Sequence, residues 1–241
     1  CLLETHPVLG PDQEVPPGGT FESFRTFVLL HDSTERERRG LALRRMYRTL
    51  APWSQENPVL MHVRSAEPTA VRLAVDQAAD AGFELVILTF GSGFDIENED
   101  PAYLAGIRDL VEYARSRGVA LGGYSLLASR TISEAEDVVN PETGRPGGFA
   151  TFGNSPCLGS RWGQEYFRKL RRFFEATGAS VLEHDGSYPG DACASTTHPG
   201  HRGLEDSQWT QWTTIRDFYR WCRARGIYLN VPDWYFLSGS S

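Results

Sequence analysis

From about residue 58 onward the chain alternates short, continuously apolar runs with longer segments whose apolar residues recur every three or four positions. The runs Val59–Val63, Glu84–Phe90, Val119–Ser125, Ala179–His184 and Ile227–Val231 predict strands. Each is apolar throughout rather than alternating, so both faces are expected to be covered, as in a parallel sheet. Between them, residues 69–81, 101–117, 161–177 and 207–225 show helical spacing, with Val71, Ala74, Val75 and Ala78 on one face of the first. A glycine follows every one of these helices, at Gly82, Gly118, Gly178 and Gly226, where the left-handed C-terminal cap favours it. Repeated strand–helix units of this kind predict a parallel sheet layered with helices.

The upstream part reads differently. Residues up to about 25 are rich in Pro and Gly, and Phe24–Leu30 predicts a strand. A helix follows from Ser33, a residue able to cap it, with Leu43, Met46, Tyr47 and Leu50 at helical spacing and a charge run that reads as a solvated face. The expected organisation is the end of an N-terminal β domain over 1–32, a linking helix over 33–55 and a partial (β/α) barrel over 56–241. A doubly wound open sheet is the structural competitor. The barrel is preferred because long polar loops follow the strand C-termini and no GxGxxG follows the first strand. About five units of a (β/α)8-type barrel are then present, and Cys1, with neither an initiator Met nor a leader before it, suggests a piece of a longer protein.

Composition narrows the partners. The net charge of −7 disfavours nucleic acid, whose binding draws on clustered Lys and Arg. No apolar run approaches the roughly 20 residues that cross a bilayer. Aromatic residues make up 12% of the chain, among them Trp162, Trp209, Trp212, Trp221 and Trp234, and such rings either stack on sugars or fill a core. Cys1, Cys157, Cys193 and Cys222 show no close CxxC pair and do not decide the redox compartment, so localisation stays open, as does the oligomeric state.

The densest functional chemistry follows the fourth predicted strand, which ends Glu183-His184-Asp185-Gly186 and runs into a polar loop reaching Gly203. Strand alternation points Glu183 and Asp185 one way and His184 the other, so one or both carboxylates look into the barrel mouth. The alternative is that Asp185 merely caps the turn at Gly186. Asp95, Tyr124, Trp162, Tyr188, Asp191, Cys193, Asp233 and Trp234 lie at or just past strand ends and, with Glu183, are candidate pocket residues. His184, Asp185, Asp191, Cys193, His198 and His201 also contain enough donors for a metal, yet their spacing matches no recognised motif. No metal or cofactor is therefore expected, and His198 and His201 read as loop hydrogen-bonders or sugar hydroxyl contacts.

Three segments carry a family resemblance. Pro16–Ser23 before the upstream strand, Trp162–Phe167 opening a helix, and Val181-Leu182-Glu183-His184-Asp185 ending a strand are together similar to the melibiase-type α-galactosidases of glycoside hydrolase clan D, a group that includes raffinose-synthase-like barrels. The resemblance implies a glycosidase acting on an α-glycoside, with a sandwich domain ahead of the barrel and Asp185 in the place of an aspartate nucleophile. A retaining mechanism would follow, needing a second carboxyl roughly 5–5.5 Å away. There are departures: Thr89–Asp95 replaces a pair of aspartates and a Trp, and Glu183 stands where the family has Lys. The family's acid/base carboxylate follows a sixth strand, so residues 1–241 are expected to be inactive alone. A barrel that only binds carbohydrate, and a metal-dependent hydrolase built on the loop from His184 to His201, are the rival functions.

Overall fold

The computed structural model describes residues 2–147, 153–186 and 190–231. Five strands form one sheet: β1 (Leu60–Val63), β2 (Leu85–Leu88), β3 (Ala120–Leu126), β4 (Val181–Asp185) and β5 (Tyr228–Asn230). They pair in chain order and every pairing is parallel. A doubly wound sheet reverses its strand order part-way, whereas a barrel adds each new strand to the same side, so the order seen is that of a barrel wall.

The two faces of the sheet confirm this. Val86, Leu88, Leu121 and Leu182 pack in one large core with residues from α2 (Pro68–Ala81), α3 (Pro101–Ser116), α4 (Arg161–Thr177) and α5 (Leu204–Ala224). The opposite face carries a separate cluster of Leu85, Ile87 and Val181 with Leu60, Ala120 and Tyr228 against it. All four helices therefore share one side, and the other side is the lining of a partial (β/α)8 barrel. Curvature is visible in a side-chain contact: His62 on β1 meets Glu183 on β4 at 2.6 Å. In a flat sheet those strands would stand roughly 14 Å apart.

The helices form where the apolar spacing predicts. Val71, Ala74, Val75 and Ala78 are the buried residues of α2, which ends on Gly82 in the left-handed conformation. Asp100 caps α3 by accepting from the N–H groups of Ala102 and Tyr103, and Ser160 caps α4 through Gly163. The α4 face is nearly all aromatic or aliphatic, with Tyr166, Phe167, Leu170, Phe173 and Phe174 buried.

Ahead of the barrel lies α1 (Arg36–Leu50), in which no residue is buried. Ser33 does not cap it: Glu35 is the N-cap residue, and the Ser33 hydroxyl accepts from the Glu35 N–H in the preceding turn. The strand expected at Phe24–Leu30 does not form, because it finds no ladder partner among the described residues. Instead Phe21 and Phe24 pack on Trp209 of α5, and Arg202 bonds Asp12 and Glu14.

Candidate active site at the mouth of the barrel

Strand alternation builds the barrel lining in layers. Leu60, Leu85, Ala120, Val181 and Tyr228 are two residues before His62, Ile87, Gly122, Glu183 and Asn230, so the latter set points the same way one layer nearer the C-terminal mouth. The lining thus turns from apolar to polar along its length. Glu183 Oε2 is bonded to His62 Nε2 at 2.6 Å and accepts from Asn230 Nδ2 at 2.6 Å, which joins β1, β4 and β5. One layer further out, the Tyr124 hydroxyl of β3 donates to Asp185 Oδ2. The expected shared orientation of Glu183 and Asp185 is what these partners require. The Asp185 carboxylate is taken up by Tyr124, so turn capping is not its sole role.

Asp185 is half-buried at the strand end, and its partner Tyr124 lines an open cavity of about 400 Å³ together with Phe90, Asp95 and Arg130 among others. Phe90 meets the Tyr124 ring edge-on at 5.5 Å and is 66% exposed. An exposed aromatic face beside a carboxylate suits the apolar face of a sugar ring. Asp95 is held in its loop, with Oδ1 accepting from the Glu97 N–H.

His184 faces the helices, as alternation predicts. Its ring is fully buried between the hydroxyls of Tyr219, 2.9 Å from Nδ1, and Tyr166, 2.9 Å from Nε2. Burial pushes its pKa down to about 3, so it is a neutral packing and hydrogen-bonding residue.

Other sequence candidates divide. Trp162 stacks on Tyr166 at 4.9 Å with the Arg130 guanidinium over its ring, and so belongs to the packing at the N-terminus of α4. Asp191 is buried, its carbonyl accepting from Gln211. Tyr188, Asp233 and Trp234 lie outside the described residues. Cys193, expected among the sugar contacts, is fully buried and out of a ligand's reach.

Cys193 instead belongs to a closed group with Cys157, His198 and His201, all four buried, whose donor atoms lie within 4.8 Å of one another. His198 and His201 are accordingly loop hydrogen-bonders and not sugar contacts: their rings bond the carbonyls of Ala135 and Gly203. The Cys193 sulfur is held far below the usual thiol range, first by the Cys157 thiol and then by the two imidazoles. Burial pushes the Cys157 thiol up. Sequence reasoning missed His62 and Asn230 in the lining and Cys157 in this group. The only signal for His62 was a lone polar residue inside an apolar strand.

No family model matches the chain, and no curated protein does. Solved structures do. A quadruple mutant of alpha-N-acetylgalactosaminidase NagBb from Bifidobacterium bifidum superposes with a TM-score of 0.53 at 16% identity, covering 85% of this chain and 41% of that one. A variant of the GH36 alpha-galactosidase AgaA from Geobacillus stearothermophilus in complex with stachyose gives 0.56 at 14% identity, covering 78% and 30%. AgaA in complex with 1-deoxygalactonojirimycin gives 0.54 at 14% identity, covering 79% and 30%. The likeness is one of fold. This chain spans less than half the length of these structures.

Proposed function

We propose that the chain is the first part of the catalytic barrel of a retaining glycoside hydrolase acting on an α-glycoside of the α-galactoside class. The observation that supports this reading most directly is the Asp185 carboxylate, oriented at the end of β4 by Tyr124, which itself lines an open, aromatic-edged cavity. Barrel enzymes place their reacting groups at this end of the strands. The NagBb and AgaA structures, whose names describe cleavage of α-linked N-acetylgalactosamine and galactose, share the fold and favour the same substrate class.

With Oδ2 held by Tyr124, Oδ1 is the oxygen assigned to attack on the anomeric carbon. A second carboxyl, supplied from beyond the described strands, protonates the departing oxygen; water then attacks the glycosyl ester and the same carboxyl removes its proton. Glu183, buried against His62 and Asn230, shapes the floor beneath the sugar. Residues 1–32 serve as the end of a β domain and 33–55 as the link to the barrel in this scheme.

The test is made on the full-length protein with an activated aryl α-galactoside. Asp185→Asn is expected to lower turnover by roughly a thousandfold or more. Azide should restore cleavage to Asp185→Gly and yield a glycosyl azide, the signature of a lost nucleophile. Near-normal turnover in Asp185→Asn would remove the assignment.

One observation favours a second reading, a barrel that binds sugar without cleaving it: the β2 loop presents Gly91-Ser92-Gly93 where aspartates would grip the sugar. Calorimetric binding of galactosides with no turnover in the full-length protein would select it.

A further inference from the structure

The strand–helix connections on either side of β4 are unusually long. Residues 127–160 and 186–203 contain no helix or strand element among the described residues, although loops beyond about 12–15 residues without one are uncommon. The first loop carries Cys157 and the second carries Cys193, His198 and His201. We propose that these four residues bind one zinc ion that staples the two loops together, a structural site separate from the Asp185 mouth and independent of the glycosidase reading.

The donor set is two sulfurs and two imidazole nitrogens, the ligand chemistry of closed tetrahedral zinc sites. Cys157 Sγ lies 3.3 Å from His201 Nε2, and Cys193 Sγ lies 3.5 Å from His198 Nδ1. Ligand atoms around tetrahedral zinc stand roughly 3.3–3.8 Å apart, given bond lengths near 2.3 Å to sulfur and 2.0–2.1 Å to nitrogen. Both imidazoles are also set in the required tautomer. His198 Nε2 donates to the Ala135 carbonyl at 3.0 Å and His201 Nδ1 donates to the Gly203 carbonyl at 3.1 Å, which leaves the other nitrogen of each ring as the lone-pair donor facing sulfur. The Val139 N–H donates to Cys193 Sγ at 3.3 Å, a bond that favours thiolate.

Backbone geometry is built around the same point. Gly200 N–H donates to the Gly159 carbonyl at 2.7 Å, tying one loop to the other. A Cβ on Gly159 would come within 2.5 Å of the His201 ring, so only glycine lets that ring reach Cys157. Complete burial of both sulfurs argues against a nucleophilic Cys193–His198 pair, because no substrate reaches them. Four protein ligands fill the tetrahedron and leave no position for a reacting water, which makes the site structural and counts against a zinc-dependent hydrolase.

The test uses full-length protein purified without chelator under reducing conditions. Elemental analysis should find about one zinc per chain, and replacement by cobalt should give tetrahedral d–d bands with thiolate-to-metal charge transfer. Cys157→Ser and His201→Gln should each bind cobalt at least about tenfold more weakly, and Cys157→Ser should also lose about half of the thiolate-to-cobalt charge-transfer intensity. Wild type lacking zinc and giving no cobalt charge transfer would overturn the site. So would a Cys157–Cys193 disulfide found by mass spectrometry, or metal retained undiminished in both variants. Metal analysis of the wild type decides the matter even if a variant fails to fold, and none of these readouts depends on glycosidase activity.

Discussion

Among the described residues the Tyr124 hydroxyl is what orients the Asp185 carboxylate, so Tyr124 is where a small change should separate chemistry from folding. Tyr124→Phe keeps the ring against Phe90 and deletes the donor to Oδ2. A hydrogen bond to a charged group contributes about 1.5–3 kcal/mol, so kcat on an aryl α-galactoside should fall roughly tenfold or more while the melting temperature moves little. An unchanged kcat would show that Tyr124 does not serve the carboxylate. His184 makes a prediction of a different kind. Its folded pKa is about 3, below the unfolded value of about 6.5, so below that upper value the unfolded chain takes up a proton that the folded chain refuses. Its contribution to stability is therefore full above pH ~6.5 and is lost as pH falls toward ~3, at up to about 1.4 kcal/mol per unit. Urea midpoints for wild type and His184→Gln should converge as pH is lowered from about 7 to 4; parallel curves would contradict it. Both residues were legible in the sequence, since strand alternation alone assigns Asp185 and His184 to opposite faces. Distant pairings elsewhere were not: Glu183 and His62 are 121 positions apart, and Cys157 and His201 are 44 apart. Nothing local marks residues that only tertiary folding brings together.

Elements were easier to read than contacts, because helix spacing and the glycine stops are properties of a short stretch. Every βα unit of the barrel falls within a few residues of its expected place, and α4 begins and ends where predicted, at Arg161 and Thr177. The exception is Phe24–Leu30, whose β-branched and aromatic content favours a strand that nothing nearby can pair with; propensity yields to the need for a ladder partner. Glycines separate positions where local rules decide from positions where neighbours do. Gly106 sits mid-helix in α3 with open space around its Cα, so Gly106→Ala should raise stability by about 1 kcal/mol, near 2–4 °C in melting temperature. Gly122 is opposite Val181 in the β3–β4 pairing, and an added Cβ would lie 1.8 Å from the Val181 carbonyl oxygen. Gly122→Ala must therefore push β3 from β4, and a loss of several kcal/mol or failure to fold is expected. Thermal scans of the two variants check the contrast; similar shifts for both would refute it.

At the scale of the molecule, sequence pattern alone narrowed the choice to a barrel or an open parallel sheet, since both produce the same strand–helix alternation. What separates them is spatial order and curvature, expressed in the monotonic β1-β2-β3-β4-β5 sequence and the His62–Glu183 contact across the lining. The same geometry leaves β1 paired only with β2 and β5 only with β4 among the described residues, so the outer backbone edges of both strands are unpaired there. Closing a barrel of eight strands from five leaves a gap of three strands, roughly 20 Å of sheet width. Open edges recruit strands from other chains. Residues 1–241 produced alone should therefore self-associate as concentration rises, despite the solubilising net charge of −7. Light scattering after gel filtration measures this directly. Leu60→Pro, which removes a backbone donor on the outer side of β1 because Val59 and Val63 direct their backbone groups to β2, tests whether the edge is responsible: it should shift the population toward monomer if β1 still docks on β2. A strictly monomeric wild type at high concentration would mean that these edges are covered by other parts of the chain.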